Sequence, residues 1–222
     1  MKRFILRITR LIAGLSLFAF GIACTITANI GYAPWDVFHS GAANILGIRI
    51  GTASIAVSFT IVLICILLKE KLGLGTVLNM VLVGLILDFI LFLNIIPAFE
   101  IMALQVLLLF AGLFIIAGAS CLYLSSAFGG GPRDSLMVAV TRKTKLPIGV
   151  CRTVIELMAL GMGWLLGGMV GVGTVLSAFG MGACIQIIFR LFKFKSTEVV
   201  HETAAQTFKV LLGMIRAQKM PR

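Results

Sequence analysis

Six apolar segments, each long enough to cross a bilayer, restrict this chain more than any other feature: Leu11–Ala28, Ile50–Leu68, Leu74–Ile96, Met102–Ser126, Ile148–Leu166 and Val172–Phe189. A hydrocarbon core of roughly 30 Å takes about 20 apolar residues in helical form. Hydrocarbon offers the backbone no water, so each segment must bond its own N–H and C=O groups, as a helix does. Only 12% of the 222 residues are charged, against about 25% in a soluble domain. An ordinary soluble enzyme, a disordered chain and a secreted disulfide scaffold are excluded. Cys24, Cys65, Cys121, Cys151 and Cys184 are isolated and odd in number, and read as small packing residues.

Charge sets the expected direction of the chain. The net charge is +11, but the basic residues lie between the apolar segments, which points to membrane orientation and not to nucleic acid. Lys2, Arg3, Arg7 and Arg10 precede the first span. Lys69 and Lys71 follow the second, Arg133, Arg142, Lys143 and Lys145 follow the fourth, and Arg190, Lys193 and Lys195 follow the sixth. With six crossings all of these fall on one side, and the opposite loops hold Arg49 and Glu100. The positive-inside rule then places both termini in the cytoplasm. The first segment has the basic start of a signal peptide but no small-x-small cleavage site, and reads as a retained span.

The chain repeats itself at a constant step of 98 residues. Ala13-Gly14-Leu15 matches Ala111-Gly112-Leu113, Gly31 matches Gly129, Pro34 matches Pro132, and Asp36 matches Asp134. Ile50-Gly51 matches Ile148-Gly149, and Gly73-x-Gly75-Thr76-Val77-Leu78 matches Gly171-x-Gly173-Thr174-Val175-Leu176. Each unit holds three crossings. Three is odd, so the second unit enters the membrane from the other face, and the expected architecture is an inverted repeat.

Between the first and second span of each unit lies a short polar-apolar segment, 34–47 and 132–144, each expected as a re-entrant or interfacial half-helix. Pro suits the first helical position because its φ is already helical and it has no N–H to lose. Asp two residues later meets the free N–H groups of the first turn. Gly31 and Gly129–Gly131 let the chain turn before them. The half-helix starts are therefore Gly31-x-x-Pro34 and Gly131-Pro132. Each Asp serves either as a cap alone or also as part of a polar path. His39 shares a face with Asp36 at i, i+3 and titrates near neutral pH.

Asp88 and Glu156 fall inside spans, where a charge costs several kcal/mol unless paired. Arg152, one turn before Glu156, is its expected partner, and Asp88 is expected to lean on Asn79 or a short-helix hydroxyl. The alternative is that Asp88 or Glu156 exchanges a proton or cation, or that Arg133 and Arg152 meet an anionic solute. Gly163, Gly167 and Gly171 are spaced as a small-xxx-small packing face. Thr76 or Thr174 is expected to cap the Gly-x-Gly turn. In the tail, Phe208, Leu211, Leu212 and Ile215 form an amphipathic stripe, read as a membrane-surface helix or a docking helix for a protein partner.

In these motifs the chain resembles the YczE/YyaS/YitT-type bacterial membrane proteins, closest to the YczE branch. The resemblance rests on Gly31-Tyr-Ala-Pro-Trp-Asp36 with His39, Gly75-Thr76, Gly131-Pro-Arg-Asp134, Arg152-Thr-Val-Ile-Glu156, Gly163-Trp-Leu-Leu-Gly167-Gly168 and Gly173-Thr174, within residues 7–190. It implies a protein of the bacterial inner membrane.

The expectation is an all-α, six-span, 3+3 inverted repeat: unit one over 1–98, unit two over 99–195, and a cytoplasmic tail over 196–222. Its expected function is a secondary transporter or permease for a small polar solute, with proton coupling left open. Asp36, His39, Asp88, Arg133, Asp134, Arg152 and Glu156 would line the path. A membrane scaffold for a biosynthetic or secretion partner is the competing reading. No catalytic motif, cofactor site or metal site is expected, and the bilayer is the expected surrounding.

Overall fold

A computed structural model describes residues 2–195, 199 and 201–219, with side chains placed over 4–195, 199 and 201–211. The helices, in chain order, are α1 (Lys2–Thr27), α2 (Pro34–Leu46), α3 (Ile50–Leu67), α4 (Leu74–Leu93), α5 (Met102–Leu124), α6 (Pro132–Thr144), α7 (Ile148–Leu165), α8 (Val172–Leu191) and α9 (Ala204–Lys219). Among the described residues all regular structure is helical. α1, α3, α4, α5, α7 and α8 are long and apolar enough to cross a membrane.

Three boundaries differ from expectation for local reasons. α1 begins at Lys2, before the expected Leu11, because Arg7 finds partners: its Nε donates to the Ser126 carbonyl at 2.8 Å. α4 stops at Leu93, where Asn94 turns left-handed at φ 53°. α5 stops at Leu124 as Ser125 and Ser126 turn their hydroxyls back onto the Leu122 and Tyr123 carbonyls.

α1 and α5 form the spine of the bundle and cross antiparallel: Gly14 lies against Tyr123, Gly21 against Ile116 and Gly112 against Thr25. In lipid the apolar effect does not drive helix onto helix, so small residues that let backbones approach do the joining. The buried core runs along this spine through Leu11, Leu15, Ala19, Ile22 and Ile116 to Val83 and Leu87 of α4, and closes on Phe128. α4 packs on α1 and α8 on α5; α2 packs on α7 and α6 on α3.

The backbone repeats with the sequence. Eight left-handed residues form four pairs 98 residues apart: Asn29 (54°) and Ala127 (62°), Gly31 (109°) and Gly129 (111°), Gly47 (65°) and Lys145 (60°), Lys69 (58°) and Gly167 (80°). Such a φ costs a non-glycine residue about 1 kcal/mol or more. Ala127, Lys145 and Lys69 accept it because the turn that joins the helices demands it. The units also exchange matching bonds. Gly75 N–H donates to the Phe128 carbonyl at 2.8 Å, and Gly173 N–H to the Ile30 carbonyl at 2.7 Å. A Cβ on Gly73 would overlap the Phe128 carbonyl, and one on Gly173 would stand 2.5 Å from the Gly31 carbonyl.

The Gly163, Gly167 and Gly171 spacing does not form one helical face. α7 ends at Leu165, so Gly163 alone belongs to it, packed on Val37 and Phe38. Gly167 is a left-handed turn residue and Gly171 is the N-cap of α8. The short α2 needs the close approach, through Gly41 on Gly163 and Gly168 on Val37.

Candidate functional site

The sharp turn before each of the short helices α2 and α6 is made at Gly31 and Gly129, whose φ values are left-handed, and not at Gly131, which is an extended N-cap. Pro34 and Pro132 take the first helical turn, as their chemistry favours. These turns aim the first residues of α2 and α6 at one another. The Arg133 guanidinium carbon lies 4.9 Å from the centre of the Trp35 ring. Its Nη2 stands 3.8 Å from Asp36 Oδ1 and 3.4 Å from His39 Nε2. His39 Nδ1 is 3.4 Å from Asp36 Oδ1, and the Trp35 and His39 rings lie 6.4 Å apart.

Asp36 and His39 are almost fully buried, at 3% and 1% exposure, while the Arg133 side chain is 30% exposed. Asp36 Oδ1 is buried without a hydrogen bond. A buried carboxylate oxygen without a donor is costly. Here the nearby guanidinium provides the offsetting charge. Arg133 also feels Asp134 and Glu156, so one cation sits among three carboxylates.

The two matching Asp residues do different work. Asp134 Oδ2 accepts the Gly131 N–H at 3.2 Å, the expected cap, and the Tyr123 hydroxyl at 3.1 Å. Asp36 makes no such cap: α2 begins without a side-chain N-cap bond. The Gly-x-Gly turns differ likewise. Thr174 Oγ1 accepts the Gly171 N–H at 3.1 Å, whereas Thr76 donates to the Gly130 carbonyl of the other unit at 2.7 Å.

Asp88 is held elsewhere, by partners other than Asn79 or a short-helix hydroxyl. It accepts the Gly51 N–H at 2.7 Å, the Thr52 N–H at 2.8 Å and the Thr52 hydroxyl at 2.7 Å, at the start of α3. These are the free donors of a helix N-terminus, met by a carboxylate from the neighbouring helix. Arg152 Nε donates to Glu156 Oε1 at 2.9 Å on α7, with the two side chains 48% and 30% exposed. The structure thus joins Asp36, His39 and Arg133, sets Asp134 beside them, ties Asp88 of α4 to the start of α3, and pairs Arg152 with Glu156 along α7. Trp35 and Tyr123 belong to the site and carry a signal that sequence reasoning passed over: Trp35 sits between Pro34 and Asp36, at the position matching Arg133.

The tail docks at the end of the bundle that holds the N-terminus of α1. Glu202 Oε1 accepts from Arg7 Nη1 at 2.6 Å, its N–H donates to the Ala127 carbonyl, and Ala204 N–H donates to the Leu72 carbonyl. Asp134 acts on His201, whose imidazole is held below its usual range by partial desolvation and raised by that carboxylate. Phe208 and Leu211 are exposed on α9; Leu212 and Ile215 of the expected stripe lie outside the described side chains.

The profile of a family of unknown function (DUF6198) matches residues 5–190. The chain is 34% identical over 187 residues to the uncharacterized membrane protein YczE of Bacillus subtilis (strain 168), covering 83% of this chain and 86% of that one. An uncharacterized protein of Haemophilus influenzae is 33% identical, covering 83% and 84%, and YyaS of Bacillus subtilis is 28% identical, covering 74% and 83%. No solved structure matches.

Proposed function

This chain belongs to the family of unknown function DUF6198, alongside a membrane protein of Bacillus subtilis, and on that premise we propose that it is a secondary transporter or permease for a small polar solute. The observation that carries this reading is the Trp35–Asp36–His39–Arg133 cluster, made where two half-helix starts meet and holding a buried carboxylate oxygen without a hydrogen bond. Half-helices that meet within a bundle of spans are a recurrent way to build a solute site.

The proposed frame is a 3+3 inverted repeat with re-entrant α2 and α6. Three observations support it: the antiparallel α1–α5 spine, the left-handed residues paired at a step of 98, and the exchanged Gly75–Phe128 and Gly173–Ile30 bonds. The basic end, with Arg7, Lys69, Arg142 and the docked tail, is assigned to the cytoplasm by the positive-inside rule.

Charge arithmetic narrows the solute. Glu156 is paired with Arg152, which leaves Asp36 and Asp134 against Arg133. Each half-helix N-terminus adds about half a positive charge. The sum is near zero, which suits a zwitterionic or neutral polar solute better than a strongly charged one. Proton coupling falls to Asp36, His39 or Glu156, since Asp88 spends its acceptors on α3.

The test is uptake of a radiolabelled metabolite panel by proteoliposomes of the full chain. The reading expects a small zwitterion or neutral polar solute to accumulate, with uptake lost in Asp36→Asn and Arg133→Gln. Uptake unchanged in both variants, or no uptake of any panel member, overturns it. The competing scaffold reading draws on the docked tail, which lies outside residues 5–190. It expects deletion of 196–222 to abolish the cellular role while Arg133→Gln leaves it intact.

A further inference from the structure

The two units carry the same glycines but use them differently. At the 98-residue step Gly51 matches Gly149, Thr52 matches Val150, Gly84 matches Gly182, and Asp88 matches Gln186. In unit one these positions form a closed joint. A Cβ on Gly51 would overlap the Gly84 carbonyl, one on Gly84 would overlap the Gly51 carbonyl, and Asp88 accepts from Gly51 and Thr52. In unit two the joint is apart. Nothing lies within 4 Å of the Cβ positions of Gly149 or Gly182. The Val150 N–H turns to the Pro147 carbonyl at 3.0 Å, and Gln186 is exposed.

The difference is sharpest at one helix pair. The packing of α4 on α1 recurs as α8 on α5, that of α2 on α3 as α6 on α7, that of α2 on α7 as α6 on α3, and that of α4 on α6 as α8 on α2. α3 lies along α4, yet α7 and α8 form no such face. A glycine inside a helix costs about 0.5–1 kcal/mol relative to alanine unless its bareness is used, and Gly149 and Gly182 are unused here. An exposed amide on a spanning helix likewise lacks the partner that hydrocarbon makes it need.

We infer that the fold has a second state in which α7 closes on α8, with Gly149 against Gly182 and Gln186 accepting from the Gly149 and Val150 N–H groups, while Gly51 parts from Gly84. Gln186 is then the positioning residue that closes one end, as Asp88 closes the other. The Asp88 joint holds the start of α3, at the end of the bundle away from the docked tail. The open joint holds the start of α7, at the tail end. The described state is shut away from the tail and parted toward it, and exchange of the two joints would turn the Arg133 cluster from one face to the other. As a transport step this rests on the reading above; as a motion it is tested without any solute.

The experiment uses the full chain with its five cysteines replaced, carrying Val150→Cys and Gln186→Cys. Both positions are exposed, so the pair disturbs no packing. Membranes are oxidised with copper phenanthroline and run without reductant. The expected result is an intramolecular disulfide, seen as a reductant-reversible mobility shift at monomer mass. Adding Gly182→Leu, whose Cβ meets nothing within 4 Å in the described state, is expected to keep or raise the melting temperature, as loss of a helix glycine does, and to abolish the shift. No disulfide, or a product at dimer mass, overturns the inference; the latter would mean that a second copy covers this face. A monomer disulfide without solute uptake rejects the transport reading and keeps the motion, whereas uptake without the disulfide does the reverse.

Discussion

Arg133 stacks on Trp35 at 4.9 Å, and the two residues are equivalent positions of the repeat, 98 apart. Equivalent residues touch each other only where the symmetry axis passes between them. In the proposed inverted repeat the stack marks that axis, and Asp36 and His39 lie beside it. α1 and α5 run antiparallel, and the turns at Gly31 and Gly129 bring the starts of α2 and α6 together there.

Asp88 is predicted to act as a cap. Asp88→Ala removes the acceptor for two N–H groups and a hydroxyl, and should destabilise the protein by about 2–4 kcal/mol. Asp88→Asn keeps one acceptor and should cost less. Thermal unfolding in detergent checks the order, and equal losses would contradict it.

The glycines should sort by the space around them. Gly51→Ala and Gly73→Ala drive a methyl into a backbone carbonyl and should abolish folded protein. Gly118→Ala and Gly182→Ala meet nothing within 4 Å and lie in helix interiors, where alanine should gain about 0.5–1 kcal/mol. Yield of monodisperse protein with melting temperature reads both effects.

The Arg7–Glu202 pair should hold the tail weakly. Both side chains are 28% exposed, and a pair of this kind contributes about 1 kcal/mol or less, screened by salt. Glu202→Gln should raise hydrogen exchange over 201–207 without moving the melting temperature. A large loss of stability would mean that the tail is part of the core.

The Arg152–Glu156 pair should be uneven in its parts. Arg152→Met leaves Glu156 on a spanning helix without its donor, while the double change to Met and Gln removes both charges. The single variant should therefore be the less stable of the two, by about 1–2 kcal/mol. Melting temperatures of the two variants decide this.

What the sequence could reveal follows from the range of the forces involved. The starts of α2 and α6 were legible at Pro34 and Pro132 because a fixed φ and a missing donor act within one turn. The Arg152–Glu156 bond was legible because i, i+4 neighbours meet on any helix. For Asp88 the expected Asn79 or short-helix hydroxyl gives way to Gly51 and Thr52, because its partners depend on how closely Gly51 approaches Gly84. Ala127 gives no local sign of its left-handed turn; only the match to Asn29 does. Glu202 lies outside the repeat, so nothing pointed to Arg7.

The account stands on the two units facing opposite ways, and labelling equivalent sites tests that most directly. Ile48 and Leu146 occupy the same place in each unit, and both are exposed. In the cysteine-free chain, Ile48→Cys and Leu146→Cys are treated with a membrane-impermeant maleimide on intact cells and again after permeabilisation. The account predicts that Ile48→Cys labels in intact cells and Leu146→Cys only after permeabilisation. Labelling of both from the same face would contradict it.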